Sequence, residues 1–335
     1  MIKQSLLAVV TGLLPGRLSA ASRAPREVLA FYYAWYGDPN DNPDWRGVDT
    51  ERRVIANAPD YPEAGPYNSQ DPAITQRQMQ QMKAAGITGL IYSWWGIHTY
   101  EDNHFTMVIQ AAHKAGLKVT VYYEKCASTE HFPNAEAVIR DFEYLMSTYC
   151  QAPNWLTADG KKVLFVYTHA LEQLPREKWR SIIADLKTRY VNRIMFNVAA
   201  QSSRGLDFVD GIHRYALVAS LGERAPAAAA AWVRLFFPGY LREQANYPVT
   251  TLTVYPGYND TRLNRPKTLD TGRFDGKLYA ALWQAAIRAA PDWILITSWN
   301  EWHEGTEVEP SLEYGDLYLQ LTSRYSREFL LAEVP

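Results

Sequence analysis

The segment Asp292 to Pro310, DWILITSWNEWHEGTEVEP, passes from an apolar run into two tryptophans, a histidine and four glutamates. Asn300, Glu301, Trp302, His303 and Glu304 fill consecutive positions just beyond Trp293–Thr297, which reads as a buried parallel strand. Two carboxyl groups so placed can divide proton donation and proton removal between them. Indole faces beside them stack on the C–H faces of sugars and keep water from the reaction. Two other readings are a solvated acidic turn and a metal site built on Glu301, His303 and Glu304. Flanking Trp is unusual in an acidic turn, and no HExxH-type helix accompanies the histidine. No metal and no cofactor is expected.

Residues with such roles need a scaffold that brings distant segments to one place. The 335-residue chain is 47% hydrophobic, enough for a large core, and carries a net charge of −2. Lys and Arg total 34 against 36 acidic residues with no long basic run, so the sequence excludes an extended nucleic-acid surface. The 11 Trp and 22 Tyr exceed ordinary packing needs and fit a groove for amphipathic ligands. Cys126 and Cys150 match neither a metal pattern nor a disulfide scaffold, and their pairing is open. Oligomeric state is open as well.

Short apolar runs recur at about Val28–Trp35, Gly89–Trp94, Lys118–Tyr123, Val163–Tyr167, Arg193–Val198, Asp210–Tyr215, Thr250–Val254 and Trp293–Thr297. Helical patterns separate them, at Ile74–Ala85, Phe105–Ala115, Ala135–Tyr149, Lys178–Tyr190, Ala227–Phe236 and Lys277–Ala289. Gly86 and Gly116 each follow a helix and precede a strand, as αβ connections do. Eight strands in such alternation predict a single-domain (β/α)₈ TIM barrel over residues 25–335. Residues 1–24 read as a signal peptide and N-terminal arm: Lys3, an apolar run over Leu6–Leu14, then Ser19-Ala20-Ala21-Ser22. That run is too short to span a bilayer, so a periplasmic or secreted protein without stable membrane insertion is expected, the mature chain starting near Ala21 to Ala24. A surface-packed or disordered arm is the alternative.

The active site of such a barrel lies at the C-terminal ends of its strands, and here those ends are aromatic and polar. They supply Tyr33, Tyr36, Trp94, Trp95, Glu124, His169, Tyr215, Tyr258, Asn300 and Trp302 as candidate substrate-binding residues around Glu301 and Glu304. Glu124 either holds a sugar hydroxyl and tunes the pair or forms an ion pair with Lys125 or a nearby Arg. The roles of His98, His169 and His213 are open.

Four ordered blocks carry a family resemblance: FYYAWYG, YPEAGPYNSQDPAITQRQMQQMKAAGITGLIYSWWG over Tyr61–Gly96, YPGYNDTR over Tyr255–Arg262, and SWNEWHEGTEVEP over Ser298–Pro310. With these the chain resembles glycoside hydrolase family 99, the endo-α-mannosidases and endo-α-mannanases. The resemblance implies an endo-acting, retaining α-glycosidase acting on mannosidic linkages of an oligosaccharide or polysaccharide through a 1,2-anhydro sugar. It assigns Glu301 as the base on the sugar 2-hydroxyl and Glu304 as the acid–base at the leaving oxygen. Three segments depart from the family pattern: the loop DPNDNPDWRGVDTERR, Lys125-Cys126, and Ala216–Tyr247. A non-catalytic glycan-binding barrel, or a hydrolase or transglycosylase of a non-mannose exported polysaccharide, are the alternative readings.

Overall fold

A computed structural model describes residues 24–126 and 133–332. The expected start of the mature chain at Ala21 to Ala24 falls almost wholly outside the described residues. Eight strands form the wall: β1 Glu27–Tyr32, β2 Gly89–Trp94, β3 Lys118–Tyr123, β4 Lys161–Val166, β5 Ile194–Ala199, β6 Gly211–His213, β7 Thr251–Val254 and β8 Trp293–Ile296. Neighbours pair in parallel in the order β6-β5-β4-β3-β2-β1-β8-β7, which is a barrel order cut between β6 and β7. Threonines bridge that seam. Thr251 Oγ1 donates to the Ile212 carbonyl at 2.9 Å, and the Thr253 and Thr297 hydroxyls donate to the carbonyls of Arg214 and Tyr215.

Both faces of the wall are buried, which explains why the strands read as near-continuous apolar runs. Leu29, Phe31, Ile91, Tyr122, Phe165, Met195 and Leu295 fill the interior. Val28, Ala30, Tyr32, Tyr92, Trp94, Val119 and Val121 face the helices. Those helices span Pro72–Ala84, Tyr100–Ala115, Ala135–Thr148, Arg176–Arg189, Pro226–Glu243 and Lys277–Ala289. All six expected helices are present, each within a few residues except the fifth, which continues through Pro238 to Glu243. A further helix, Leu317–Leu331, has no counterpart in the sequence reading. It and the following Ala332 supply the Phe329 and Ala332 carbonyls to Arg26 Nη1 at 2.7 and 2.5 Å, tying this helix to the start of β1.

Local chemistry sets the boundaries. Thr99, Asn134 and Asp71 cap helix starts with side-chain oxygens, and Gly116 ends the second helix at φ 71°, a left-handed conformation that glycine adopts without penalty. Cys126 and Cys150 are both free and buried. Among the described residues no helix is long and apolar enough to cross a membrane.

Candidate active site

The segment after β8 folds back on itself and presents its acidic residues unequally. Ser298 N donates to Thr306 O at 2.8 Å, Glu309 N to Trp299 O at 2.9 Å, and Glu301 N to Ser298 Oγ at 2.7 Å. Gly305 turns the chain at φ 54°, and a Cβ there would lie 2.8 Å from Pro59 Cγ. Asn300 fastens this loop to the end of β1, its Oδ1 accepting from Tyr33 N at 2.8 Å and its Nδ2 donating to Tyr33 O at 2.7 Å. The side chains of Tyr36 and Tyr67 brace it from behind. Tyr36 donates to Asn300 O at 3.0 Å, and the Tyr67 hydroxyl accepts from Asn300 and from the Trp302 indole.

In front of this support opens a cleft of about 780 Å³, lined among others by Tyr33, Trp35, Trp95, Tyr122, Glu124, Tyr167, Tyr215, Arg265, Glu301, His303 and Glu304. Glu301 is 4% exposed, and its Oε1 lies 3.3 Å from His303 Nδ1. The other imidazole nitrogen, Nε2, is 2.6 Å from the carbonyl oxygen of Asp44. Each ring nitrogen therefore faces an oxygen acceptor, an arrangement that suits the doubly protonated ring. Burial works against that charge, but the hydrogen bond and the charge of Glu301 outweigh it and raise the His303 pKa. Burial likewise raises Glu301, while the imidazolium opposes it and supports the carboxylate form.

Glu304 is set up differently. Its Oε1 accepts from the Tyr258 hydroxyl at 3.0 Å and from Arg265 Nη1 at 3.1 Å, so an acid proton belongs on Oε2. Burial, then the nearby charge of Glu301, raise its pKa to about 7 against the pull of Arg265. Asp44 and Glu101 also line the cleft, and Glu124 is a further carboxyl there. Ser93 Oγ donates to its Oε1 at 2.8 Å and itself accepts from the Trp95 indole at 3.0 Å. Burial first, and then Glu301 and Glu304, push Glu124 to about 8 despite the serine, so it is protonated at neutral pH. It makes no ion pair with Lys125; Ser93 donates to it, and the acids Glu301, Glu304 and Glu101 act on it.

Of the residues singled out in the sequence, Tyr33, Trp95, Glu124, Tyr215, Glu301 and Glu304 converge on the cleft. Tyr33 and Tyr215 join through their hydroxyls at 2.8 Å. Others are corrected. Trp94 faces the helices, because successive strand residues alternate sides; its indole donates to Asp102 at 2.8 Å. Tyr36, Asn300 and Trp302 are fully buried behind the cleft and act as its frame. Tyr258 holds Glu304 from a second, adjoining cavity. His169 is exposed on the short helix Thr168–Glu172, where its Nε2 lies 3.1 Å from Gln173 Nε2. His213 is buried between Asn197 and Tyr122, and burial lowers its pKa to about 3. His98 contributes its backbone N–H to Asp102 at 2.8 Å.

The sequence reading missed Asp44, whose carbonyl meets His303, and Arg265, which reaches Glu304. The cationic run in Asn259-Asp260-Thr261-Arg262-Leu263-Asn264-Arg265, directly after a strand-end tyrosine, was the available signal for the second. Among the described residues no group of three or more His, Cys, Asp or Glu is arranged to hold a metal ion.

A parallel eight-stranded barrel whose strand ends gather unequal carboxyl groups and aromatic walls is the architecture of a barrel glycosidase. The model of glycosyl hydrolase family 99 matches residues 47–329, and the chain belongs to that family. It is a glycoside hydrolase. It is 26% identical to the glycoprotein endo-alpha-1,2-mannosidase of Rattus norvegicus over 90% of this chain and 74% of that protein. It is also 26% identical to the glycoprotein endo-alpha-1,2-mannosidase-like protein of Homo sapiens, over 92% and 77% of the two chains. The solved family 99 endo-alpha-mannosidase of Bacteroides thetaiotaomicron superposes with a TM-score of 0.73 at 26% identity, covering 92% of this chain and 99% of that one.

Proposed function

We propose that the protein hydrolyses internal α-mannosidic linkages of a glycan with retention of configuration, through a 1,2-anhydro sugar. The observation that carries this reading is the unlike treatment of two carboxyl groups three residues apart: Glu301 faces an imidazole held between two acceptors, whereas Glu304 is half-buried, held by Tyr258 and Arg265 on one oxygen, with its pKa pushed up to about 7. Glu301 removes the proton of the 2-hydroxyl, whose oxygen attacks the anomeric carbon from the face opposite the leaving group. Glu304 gives its Oε2 proton to the departing oxygen. Water then opens the anhydro ring at the anomeric carbon, Glu304 taking its proton and Glu301 returning one to the 2-oxygen. Two inversions at one carbon give net retention.

Neutral Glu124 has an O–H to offer a sugar hydroxyl or the developing oxyanion, and Trp95, Tyr33 and Tyr215 offer ring faces. Relatives named as endo-mannosidases support the mannose reading. The sequence of residues 1–24 supports export to the periplasm or outside the cell. The test is digestion of α-mannans and bacterial polysaccharides with wild type and Glu301→Gln, the products read by mass spectrometry and the first-formed anomer by NMR. Internal cleavage of a mannan with the α-anomer formed first is expected. Release of the β-anomer, or binding of glycans without cleavage, would overturn the reading.

A further inference from the structure

Beside the catalytic cleft lies a second cavity of about 690 Å³, and the two share Tyr167, Tyr215, Arg265 and Glu304 in their walls. Glu301 lines the first alone. Resting on the function proposed above, this asymmetry gives the groove a direction. The sugar that keeps the anomeric carbon needs its 2-hydroxyl at Glu301, so it occupies the first cavity. The leaving oxygen sits at Glu304, on the boundary, and the departing part of the glycan extends into the second cavity.

Besides Arg265, that second cavity carries two arginines, Arg176 and Arg214, that form no ion pair with a carboxylate among the described residues. Arg214 lines it, with Nη2 donating to Gln201 O at 3.2 Å, Nη1 near Ser220 Oγ at 3.5 Å, and a buried Nε without an acceptor. Its guanidinium lies over the rings of Phe236 and Tyr240, at 4.8 and 5.4 Å from their centroids, which fixes its plane. Arg176 also lines the cavity and donates to Arg204 O at 3.1 Å. Among the described residues neither arginine has a carboxylate within 4.0 Å. Of the acids in the lining, Glu304 is engaged by Arg265 and Tyr258, and Glu172 is the other. A planar guanidinium with fixed orientation and spare donors is the group that binds carboxylates, sulfates and phosphates.

We infer that the second cavity is a leaving-group subsite for an anionic sugar, in which Arg214, with Arg176, receives a uronate carboxylate or an ester-linked sulfate or phosphate. This assigns a substrate class to the segment between Ala216 and Tyr247, which supplies the Phe236 and Tyr240 platform and is one of the segments that depart from the family pattern.

The test compares three α-mannosyl substrates that differ only in the sugar beyond the cleaved bond: neutral, uronate, and sulfated or phosphorylated. In wild type kcat/KM for one charged substrate should exceed the neutral one by about 10-fold or more. That preference should fall in Arg214→Gln, survive in part in Arg214→Lys, and shrink as salt rises from about 0.05 to about 0.5 M. Whichever charged arm is preferred identifies the anion. Titration calorimetry with the matching product fragments reads the same difference without turnover, so it decides the inference even if catalysis fails. Hydrolysis of an α-mannobiosyl fluoride, whose leaving group does not reach the second cavity, reports separately on the proposed function. Equal or weaker binding and turnover of both charged arms relative to the neutral one would overturn the inference while leaving that function standing. If Arg214→Gln does not fold, the wild-type preference and its salt dependence still decide.

Discussion

Glu301 and Glu304 on one side, and Glu307 and Glu309 a few residues on, have the same side chain, and burial raises the pKa of all four, yet they meet different surroundings. Arg273 reaches the Glu307 carboxylate, the Glu307 and Gly305 carbonyls and Asp60, and its guanidinium packs against the rings of Tyr314 and Tyr318, 4.6 and 4.8 Å from their centroids. Glu309 accepts from Tyr67 at 2.7 Å and Gln78 at 2.8 Å, one donor per oxygen. The first pair has partners on one flank and an open cleft on the other. A buried acid turned into the protein against its partners is a fastening, whereas one facing a cavity keeps chemical work available. Glu307 and Glu309 hold the loop so that Glu301 and Glu304 can remain unsatisfied until substrate arrives.

The largest effect that sharpens this contrast is expected from Glu301→Gln, which should lower kcat about 10²-fold or more on natural glycans and on activated aryl glycosides alike. Glu304→Gln should lose as much on natural glycans but little on the activated aryl substrate, whose departing oxygen needs little protonation. Equal losses on both substrates for both variants would erase the assigned difference. On the fastening side, Arg273→Met strands two buried acids and should cost about 3–5 kcal/mol of stability, measured by denaturant unfolding. A wild-type unfolding midpoint for that variant would mean that Arg273 does not hold the loop.

A pH profile divides the pair more finely. Activity requires protonated Glu304, so kcat/KM should fall as pH rises through about 7. It also requires ionised Glu301, so activity should fall again on the acid side. Replacing His303 by Gln removes the cation that favours the Glu301 carboxylate, raises the Glu301 pKa, and should move the acid limb upward while leaving the alkaline limb near its place. An unmoved acid limb would sever the link between His303 and Glu301.

The smallest effect concerns adjacent tryptophans. Trp95→Ala removes a wall of the cleft and should raise KM roughly 10-fold. Trp94→Phe loses one hydrogen bond, to an Asp102 that Tyr144 and Tyr149 also reach, and should cost about 1 kcal/mol of stability with kcat/KM nearly unchanged. The reverse outcome would place the wrong indole in the cleft.

The strands, six of the helices and the closing dicarboxylate segment were legible in the sequence, because each rests on local patterning: apolar runs, helical periodicity, and glycines such as Gly116 that stop a helix. The last helix, Leu317–Leu331, was not read from the sequence. Which candidate faces the cleft was decided by tertiary structure. Trp94 and Trp95 are alike in sequence terms, but strand alternation sends one outward. Asn300 and Trp302 sit in the same motif as Glu301, yet the backward fold of the loop turns them into support. Arg265 reaches Glu304 and the Asp44 carbonyl reaches His303 from loops tens to hundreds of residues away, and local patterning does not specify which partner such a residue meets. The two glutamates were therefore named by sequence, and their unlike surroundings were set by burial and by which distant partner each one meets.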